Sequence, residues 1–343
     1  MNSVLGKIFK FLNVFFYFSP ILYANYRWRK YLKVLYQRKN ERAKRKCPIN
    51  LDAPKTVVYM ALSETTFSGG LSDRLRGIVA IYSECKRIGV PFRIVFEPLH
   101  LEDYLSPNQY DWRIDDSGVM WGTKDVYPSV ILTYHNNSRN FWQRFVQHSI
   151  LKHFLKKPFR QIHVYSNMFC SDKEYASLFG DLFKPTEELK NLIDYHLAQL
   201  GGAGNYVSAT FRFRQLLGDF KEGGETLQED KRMSYIEKCI NAISRLHEQI
   251  PEKQILVTAD SHTFLDTLKD RNLAYVYVMP GKVVHLGFTH NASKMTYMKS
   301  FLDMYMLSYA STVFLVRDRR MYHSGFPYRA SLLNGARYEE IRL

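Results

Sequence analysis

The chain has 343 residues, 46% of them hydrophobic and 24% charged, which excludes disorder as its main state and leaves room for two folded domains. Its formal net charge of +15 favours anionic partners, but nucleic acid, phospholipid head groups and nucleotide diphosphates all meet that requirement. The four cysteines, Cys47, Cys85, Cys170 and Cys239, form no C-x-x-C pair, which argues against a zinc site and a dense disulfide framework and favours a reducing compartment.

The amino-terminal segment, residues 1–50, joins an aromatic stretch to a basic one. The stretch between Lys10 and Arg27 is uncharged, yet it is shorter than the roughly 20 residues of a spanning helix. Ten Lys and Arg residues follow it, and this combination is typical of an interfacial anchor. Residues 1–46 are therefore predicted to bind an anionic membrane surface, and their removal should release an active protein. The alternative is a helix that packs on the folded body with a solvated basic face.

The order of these two stretches also bears on localisation. No small-residue cleavage site follows the apolar stretch, and the basic run lies on its carboxy-terminal side. Both features disfavour a cleaved signal peptide. We therefore expect a cytoplasmic protein that lies peripherally on the inner face of a membrane.

From Thr56 onwards, short apolar runs alternate with longer helical patterns, which is typical of parallel βαβ units. Strands are predicted at 55–62, 93–96, 129–133, 161–165, 206–211, 254–258, 274–278 and 312–316, and helices at 75–88, 185–200, 233–249 and 299–310. Gly201 and Gly202 close one helix and are taken as the domain boundary. The prediction is an α/β fold with two Rossmann-like, doubly wound domains, residues 51–202 and 203–343, facing a cleft.

The first motif, residues 68–77, is a glycine-rich turn between a strand and a helix, where backbone N–H groups can point towards a ligand. Arg74 and Arg76 are candidates for contact with substrate oxygens. Asp73 is a candidate base for a substrate hydroxyl, and capping of the helix is the simpler interpretation.

The second motif places Arg212 and Arg214 directly after the first strand of the second half. In an extended stretch, residues two apart share a face, so both guanidinium groups are expected to point to one place. A diphosphate is the natural anion there because arginine binds it through two hydrogen bonds. The alternative is an ion pair with Asp219 and Glu222.

Two further segments follow later strands. Asp260 and Ser261 end a hydrophobic strand, so Asp260 is a candidate acceptor for a base or ribose, whereas Ser261 alternatively caps the next helix. Ser324 and Gly325 stand before a short helix and can offer hydroxyl and N–H groups to phosphate, with added charge from Arg329. No D-x-D triplet occurs in the sequence, so we expect arginine rather than a metal to neutralise a diphosphate leaving group.

In this order the four segments resemble the α-1,6- and O-fucosyltransferase superfamily, over roughly residues 56–333. Arg212 resembles the leading arginine of its diphosphate motif. The family commonly has two adjacent arginines, whereas this chain has Phe213 and then Arg214. The remaining matches are Gly70, Asp73, Arg74 and Gly77 with its glycine–arginine loop, Val257 to Ser261 with its nucleoside motif, and Ser324, Gly325, Phe326 and Arg329 with its closing motif.

The resemblance implies a GT-B-like fold, with the acceptor on the amino-terminal side and the donor on the carboxy-terminal side. It also implies a GDP-fucose donor substrate and inverting transfer without a metal or other cofactor. The expected acceptor is a hydroxyl of a surface glycan or lipid-linked oligosaccharide.

Alternatives remain for the base and for the class of protein. His285, His290 and Asp303 are other candidate bases, although lone histidines are more often structural. A hydrolase would need paired carboxylates, and no convincing pair is found. A basic membrane- or nucleic-acid-binding protein without catalysis is the other class. Arginines at strand ends, separate from the basic tail, favour a nucleotide-sugar site, so no nucleic acid is expected as partner.

Overall fold

Parallel strands alternating with helices make up the described part of the chain, which in this computed structural model comprises residues 2–43, 54–65, 69–132, 141–219, 224–282 and 293–343. Within those ranges, contacts divide the chain into two units. Unit 1 comprises Met1–Pro98 and Pro107–Phe183, and unit 2 comprises Leu99–Ser106 and Lys184–Leu343. The α/β class predicted from the sequence is confirmed.

The elements follow one another in the expected order. They are α1 (Asn2–Ala43), β1 (Thr56–Ala61), α2 (Leu71–Ile88), β2 (Phe92–Phe96), β3 (Leu105–Pro107), β4 (Val126–Ile131), α3 (Phe141–Leu155), β5 (Gln161–Ser166), α4 (Asp172–Leu182), β6 (Phe183–Pro185), α5 (Glu187–Gln199), β7 (Tyr206–Phe211), α6 (Glu229–Gln249), β8 (Gln254–Ala259), α7 (His262–Asp270), β9 (Val276–Tyr277), α8 (Lys294–Ser308), β10 (Thr312–Arg317), α9 (Phe326–Asn334) and β11 (Arg337–Arg342). Strands β3 and β6 pair in a short two-stranded sheet.

The sheet of unit 1 has the order β2-β1-β5-β4, and every neighbouring pair is parallel. Strand β5 is buried along its whole length, and β1 is buried from its second residue onwards. Strand β1 therefore reads as a nearly continuous apolar run, as expected for a parallel strand that is covered on both faces, whereas β5 also buries the polar side chains of Gln161, His163 and Ser166. The direction of strand addition reverses between β1 and β5, so the carboxyl ends of these two strands are the switch point of this sheet.

The carboxy-terminal half of α1 is packed into unit 1. Leu32, Leu35 and Tyr36 are buried in one cluster with residues of β1, β4 and β5. Asn25 donates a hydrogen bond from Nδ2 to the carbonyl of Val130 on edge strand β4, at 3.2 Å. Residues 21–42 therefore pack on unit 1, as the packed-helix alternative expects, and removal of residues 1–46 would take buried side chains out of its core, contrary to the expectation that the segment is dispensable. Membrane binding by residues 1–46 stays a prediction. No helix in the described ranges is long and apolar enough to cross a membrane.

A series of hydrogen bonds between buried side chains holds α1 against β5. Tyr36 Oη lies 2.7 Å from His163 Nδ1 and 3.0 Å from Tyr165 Oη, and His163 Nε2 lies 2.9 Å from Gln161 Oε1. Because Gln161 Oε1 can only accept, Nε2 carries the imidazole proton, and Tyr36 donates to Nδ1. Complete burial lowers the pKa of His163 to about 3. This histidine is therefore neutral and structural.

The sheet of unit 2 has the order β11-β10-β7-β8-β9 and is also parallel. Strand β7 is fully buried, and its apolar side chains join those of α6 and β8 in one core. Chain order runs outward from β7 to β9 and then returns to β10 on the other side of β7. The carboxyl ends of β7 and β10 therefore form the switch point of this sheet, which is where ligands bind in open α/β sheets.

The predicted elements match these with small shifts at their ends. Helix α2 begins at Leu71, four residues before its predicted start, and α8 begins at Lys294. The glycine at position 201 has a positive φ of 75° just after α5, as expected where that helix closes. Helix α5 belongs to unit 2, whereas the predicted boundary at 202/203 puts it in the first half. The predicted domain ranges and the cleft between them stay predictions.

Candidate functional site

Three loops of unit 2 leave the same edge of its sheet. Arg212 follows β7, Asp260 and Ser261 follow β8, and Ser324 lies in the connection from β10 to α9. Because these three strands are adjacent and parallel, their carboxyl ends meet at one edge. The second, third and fourth sequence motifs are thus brought together at the switch point.

Asp260 organises the loop after β7. Its Oδ2 lies 2.5 Å from Arg212 Nη1 and 2.7 Å from the backbone nitrogen of Arg214, and its Oδ1 accepts from the nitrogen of Phe213 at 2.6 Å. Only 5% of Asp260 is exposed. Both of its oxygens are thus occupied by protein donors, so the geometry assigns Asp260 to loop positioning, and its predicted contact with a nucleoside stays a prediction.

Arg214 departs from the extended backbone assumed from the sequence. Its φ is +56°, a left-handed conformation that is uncommon outside glycine. A carboxylate that accepts the N–H group of this residue helps to hold the conformation. Arg214 therefore does not continue the extended backbone that would have placed it on one face with Arg212, and Asp260 sets the orientation of the loop instead.

Phe213 explains the departure from adjacent arginines. Its ring is buried and stacks on Phe211, with 5.9 Å between centroids and 5° between planes. The ring of Phe264 on α7 lies 5.0 Å away. The aromatic side chain thus fastens the loop to the core of unit 2 at a position where a second guanidinium would have to be buried.

Tyr322 joins the loops after β7 and β10, and sequence reasoning left it out of the candidate site. Its backbone nitrogen donates to the carbonyl of Arg212 at 3.1 Å. The guanidinium carbon of Arg214 lies 5.2 Å from the centre of its ring. A cation over the face of an aromatic ring is attracted to it. Arg214 and Tyr322 lie 108 positions apart, however, so no local sequence pattern predicts this contact.

Ser261 and Asp219 together begin helix α7. Ser261 Oγ accepts from the nitrogen of Phe264 at 3.0 Å and donates to Asp219 Oδ2 at 2.5 Å. Asp219 Oδ1 also accepts from the nitrogen and hydroxyl of Thr263. The capping alternative for Ser261 is confirmed. Arg212 pairs with Asp260 rather than with Asp219, and Glu222 lies outside the described residues.

The closing motif forms the amino terminus of α9. Gly325 is its N-cap residue, and the hydroxyl of Ser324 accepts from the nitrogen of Phe326 at 3.3 Å. A Cβ atom added to Gly325 would meet nothing within 4 Å. Arg329 is buried one turn further on, with its guanidinium carbon 5.3 Å from the ring centre of Tyr328. This helix end therefore offers N–H groups and positive potential at the switch-point edge.

Unit 1 holds the first motif. Arg74 is buried, and its guanidinium donates to the carbonyl oxygens of Gly69 at 3.0 Å and of Glu97 at 2.5 Å. These contacts tie the loop after β1 to the end of β2, so Arg74 has a structural role that the prediction of a substrate contact did not include. Gly70 is the N-cap residue of α2, so the simpler interpretation of Asp73 as the cap is wrong.

Asp73 instead lies in the first turn of α2 and pairs with Arg76, with 2.9 Å between Oδ1 and Nη2. The guanidinium of Arg76 also stacks 3.7 Å from the ring centre of Phe169. The side chain of Asp73 is 43% exposed, whereas that of Arg76 is 11% exposed. The exposed carboxylate of Asp73 is accessible to a substrate hydroxyl, and its contact with Arg76 is also that of a structural ion pair.

Close packing of α2 against the end of β5 requires glycine at position 77. A Cβ atom at this position would lie 2.0 Å from the carbonyl oxygen of Ser166, at the end of β5. The hydroxyl of Tyr59 donates to the same carbonyl oxygen at 2.9 Å. Glycine is therefore required where α2 crosses the switch point of the first sheet.

Structural relatives are found even though no protein-family model and no curated protein matches the sequence. Fucosyltransferase NodZ from Bradyrhizobium is 14% identical, with a TM-score of 0.50 over 82% of this chain and 93% of that one. The NodZ α-1,6-fucosyltransferase crystal soaked with GDP-fucose gives 15% identity and a TM-score of 0.50, over 82% of this chain and 92% of that one.

A mutant of FUT1 from Arabidopsis thaliana in complex with GDP is 13% identical, with a TM-score of 0.52 over 90% of this chain and 78% of that one. This chain has the fold of these fucosyltransferases. The parallel sheets of both units agree with the GT-B-like fold that the sequence resemblance implied.

Of the other candidate bases, only Asp303 lies among the described residues. Asp303 is buried on α8 and forms an ion pair with Lys299, with 2.5 Å between Oδ1 and Nζ. That contact favours a structural role. His285 and His290 lie outside the described residues. Within the described ranges, no group of three or more His, Cys, Asp and Glu residues is arranged to hold a metal ion.

Proposed function

We propose that the protein is an inverting, metal-independent glycosyltransferase that transfers fucose from GDP-fucose to a hydroxyl of a surface glycan or lipid-linked oligosaccharide. One observation carries this proposal. Arg212, Arg214 and the amino terminus of α9 meet at the switch-point edge of unit 2, where a diphosphate would find two guanidinium groups and backbone donors. The fold supports the choice of donor, because its relatives were crystallised with GDP or GDP-fucose.

In the proposed reaction the acceptor oxygen attacks C1 of fucose from the side opposite the diphosphate. A new C1–O bond forms while the bond from C1 to the β-phosphate oxygen breaks, so the anomeric configuration inverts and GDP leaves. A base takes the acceptor's proton, and Asp73 is the proposed base. Its exposure leaves the carboxylate accessible, and its pairing with Arg76 keeps it oriented.

Arg212 is proposed to stabilise the leaving diphosphate. Negative charge grows on the β-phosphate oxygens as the bond breaks, so a guanidinium fixed beforehand by Asp260 gains interaction energy in the transition state. Arg214, held over Tyr322, supplies a second cation at the same edge. Together they take the part that a metal ion plays in enzymes that hold it with paired carboxylates.

The remaining donor contacts are proposed for Ser324, Gly325 and Phe326 on the phosphates, with Ser261 and Asp260 towards the nucleoside. Gly70, Arg74 and Arg76 complete the proposed set from unit 1. We also propose that the protein works at the inner face of a membrane, where a lipid-linked acceptor would be found.

The experiment that tests this proposal is donor binding in EDTA, measured by calorimetry with GDP-fucose, GDP-mannose, UDP-glucose and GDP. Binding restricted to guanine nucleotides and preserved in EDTA supports the proposal. Arg212→Ala should weaken it without abolishing it, because this arginine contributes most in the transition state, whereas Arg271→Ala, which removes an exposed arginine paired with Glu237 in the same unit, should leave it unchanged. If the wild type, Arg212→Ala and Arg271→Ala all failed to bind any of these nucleotides, the assignment would be contradicted and a basic binding protein would be favoured.

A further inference from the structure

Two neighbouring helices of unit 1 expose large aromatic side chains. Helix α1 exposes Tyr23 and Tyr26, at 66% and 64%, and helix α3 exposes Phe141 and Phe145, at 64% and 52%. The two helices pack against each other. Large exposed apolar side chains on two helices that pack against each other point to an interaction surface.

Exposed cations are interleaved with these rings. On α1, Tyr23, Tyr26, Lys30 and Val34 follow one another at spacings of three or four residues, which places them along one side of the helix. Lys30 Nζ lies 5.7 Å from the ring centre of Tyr26. The sequences of the two helices contain a single acidic residue, Glu41.

We call this surface the α1/α3 face. It consists of Leu22, Tyr23, Tyr26, Arg27, Lys30, Lys33 and Val34 on α1 and of Phe141, Phe145 and Lys152 on α3. The opposite side of α1 is anchored in unit 1 through Leu32, Leu35 and the bond from Asn25 to Val130. The face is therefore a fixed part of the fold.

The chemistry of the face selects its partner. A second copy of the chain would bring like charges together, which costs free energy. Nucleic acid would use the cations, but Leu22 and Val34 gain nothing from phosphates. An anionic lipid surface uses both kinds of side chain, because tyrosine and phenylalanine lie at head-group depth and lysine and arginine meet the lipid charges.

We propose that the α1/α3 face binds the anionic phospholipid head groups of a bilayer, with α3 supplying Phe141, Phe145 and Lys152 to a surface that α1 alone does not complete. This inference adds a defined surface to the proposed function and rests on it only for the reason to be at a membrane. Lipid binding itself needs no nucleotide, so the two proposals fail separately.

The test uses the full chain and sedimentation with vesicles of phosphatidylcholine, with and without phosphatidylglycerol. Replacing Tyr23, Tyr26, Phe141 and Phe145 together by serine should lower the partition coefficient on anionic vesicles at least tenfold. The matched control is Tyr195→Ser with Met233→Ser, which removes equally exposed side chains from unit 2 and should change nothing. Replacing only Phe141 and Phe145 should give part of the loss, and no effect of that pair would overturn the contribution of α3.

A charge variant keeps the test independent of folding. Lys30→Gln with Lys33→Gln and Lys152→Gln should lower partitioning about a hundredfold, since each cation near the surface contributes roughly a factor of five. Replacing Lys124, Lys173 and Lys184, which are exposed elsewhere, should have little effect. Equal binding to neutral and anionic vesicles would overturn the proposal. Variants that keep their vesicle binding but lose DNA binding or self-association would also overturn it, because the face would then bind nucleic acid or a second copy of the chain. Calorimetry with GDP-fucose on the same preparations reports on the donor site alone.

Discussion

Asp260 holds Arg212 in an ion pair of 2.5 Å while it accepts the backbone N–H groups of Phe213 and Arg214. One buried carboxylate at the end of β8 thus sets both the guanidinium and the backbone of the loop after β7. The arginine is ready to receive an anion before any anion arrives, which is the condition for effective transition-state stabilisation.

Asp260→Asn should therefore destabilise unit 2. The amide carries no charge for Arg212 and offers one accepting oxygen instead of two, so we expect the free energy of unfolding to fall by about 3–5 kcal/mol, as when a buried pair is broken. Urea unfolding monitored by circular dichroism measures the change. Asp219→Asn is the matched control, since it weakens only the start of α7 and should cost about 1 kcal/mol. Equal costs for the two variants would refute the positioning role of Asp260.

Much of this arrangement could be predicted from the sequence, and the reason is burial. Strands β1, β7 and β8 read as mainly apolar runs because both of their faces are covered, so their positions could be predicted, whereas their order in the sheets came from the structure. Strand β11 was missed because its sequence, RYEEIR, is mostly charged at an exposed sheet edge. Its hydrophobic signal is too weak to show.

Hydrogen bonds between side chains and backbone groups could not be predicted from the sequence. Arg74 was predicted to contact substrate, yet its guanidinium donates to the carbonyl oxygens of Gly69 and Glu97, and any residue type supplies such an acceptor. The left-handed conformation of Arg214 was likewise unpredictable, because a distant carboxylate rather than a local turn signal supports it.

Gly77→Ala should destabilise unit 1 by about 1–3 kcal/mol or more, because the new Cβ atom would lie 2.0 Å from the carbonyl oxygen of Ser166 and backbone would have to move. Gly180→Ala is the matched control inside α4, where the added atom meets nothing within 4 Å. That change should stabilise the helix by roughly 0.5–1 kcal/mol. Thermal unfolding of both variants measures these changes in stability. A Gly77→Ala variant as stable as the wild type would contradict the close approach of α2 to β5.

Stability should fall as the pH falls below about 6.5. His163 is held neutral with its pKa lowered to about 3, so between these values the unfolded chain binds a proton that the folded chain does not. The free energy of unfolding should then drop by up to about 1.4 kcal/mol per pH unit.

His163→Asn should flatten this slope between about pH 5 and 6.5. Glu84 also contributes stability that is lost in acid. Hydrogen bonds from His148 and Arg87 outweigh the effect of burial and lower the pKa of Glu84 to about 2. The window of Glu84 opens only below about pH 4.5. His196, whose pKa is also lowered by burial, contributes in the upper window, so the difference in slope between the wild type and the variant is what reports on His163. An unchanged slope in the variant would show that His163 is not the group responsible.

Removal of residues 1–46 should prevent unit 1 from folding. The deletion takes Ile21, Leu32, Leu35 and Tyr36 out of the core, at roughly 1.5–3 kcal/mol each, which together is comparable with the whole stability of a domain. Removal of residues 1–20 keeps these side chains and should give a folded protein. Circular dichroism of the two truncations checks the difference, and a stable protein lacking residues 1–46 would show that α1 is dispensable.

The most direct test of the account is the initial rate of fucose transfer in EDTA as a function of GDP-fucose concentration, for the wild type, Arg212→Lys, Arg212→Ala and Arg214→Ala. Arg212→Ala should lower kcat by about 10²–10³, or about 3–4 kcal/mol, because it removes a preorganised donor from the leaving group. Arg212→Lys should recover only part of the rate, since it keeps the charge for Asp260 and loses the planar two-point contact. Transfer that stops in EDTA and returns with magnesium or manganese, or a folded Arg212→Ala protein with wild-type turnover, would contradict the account.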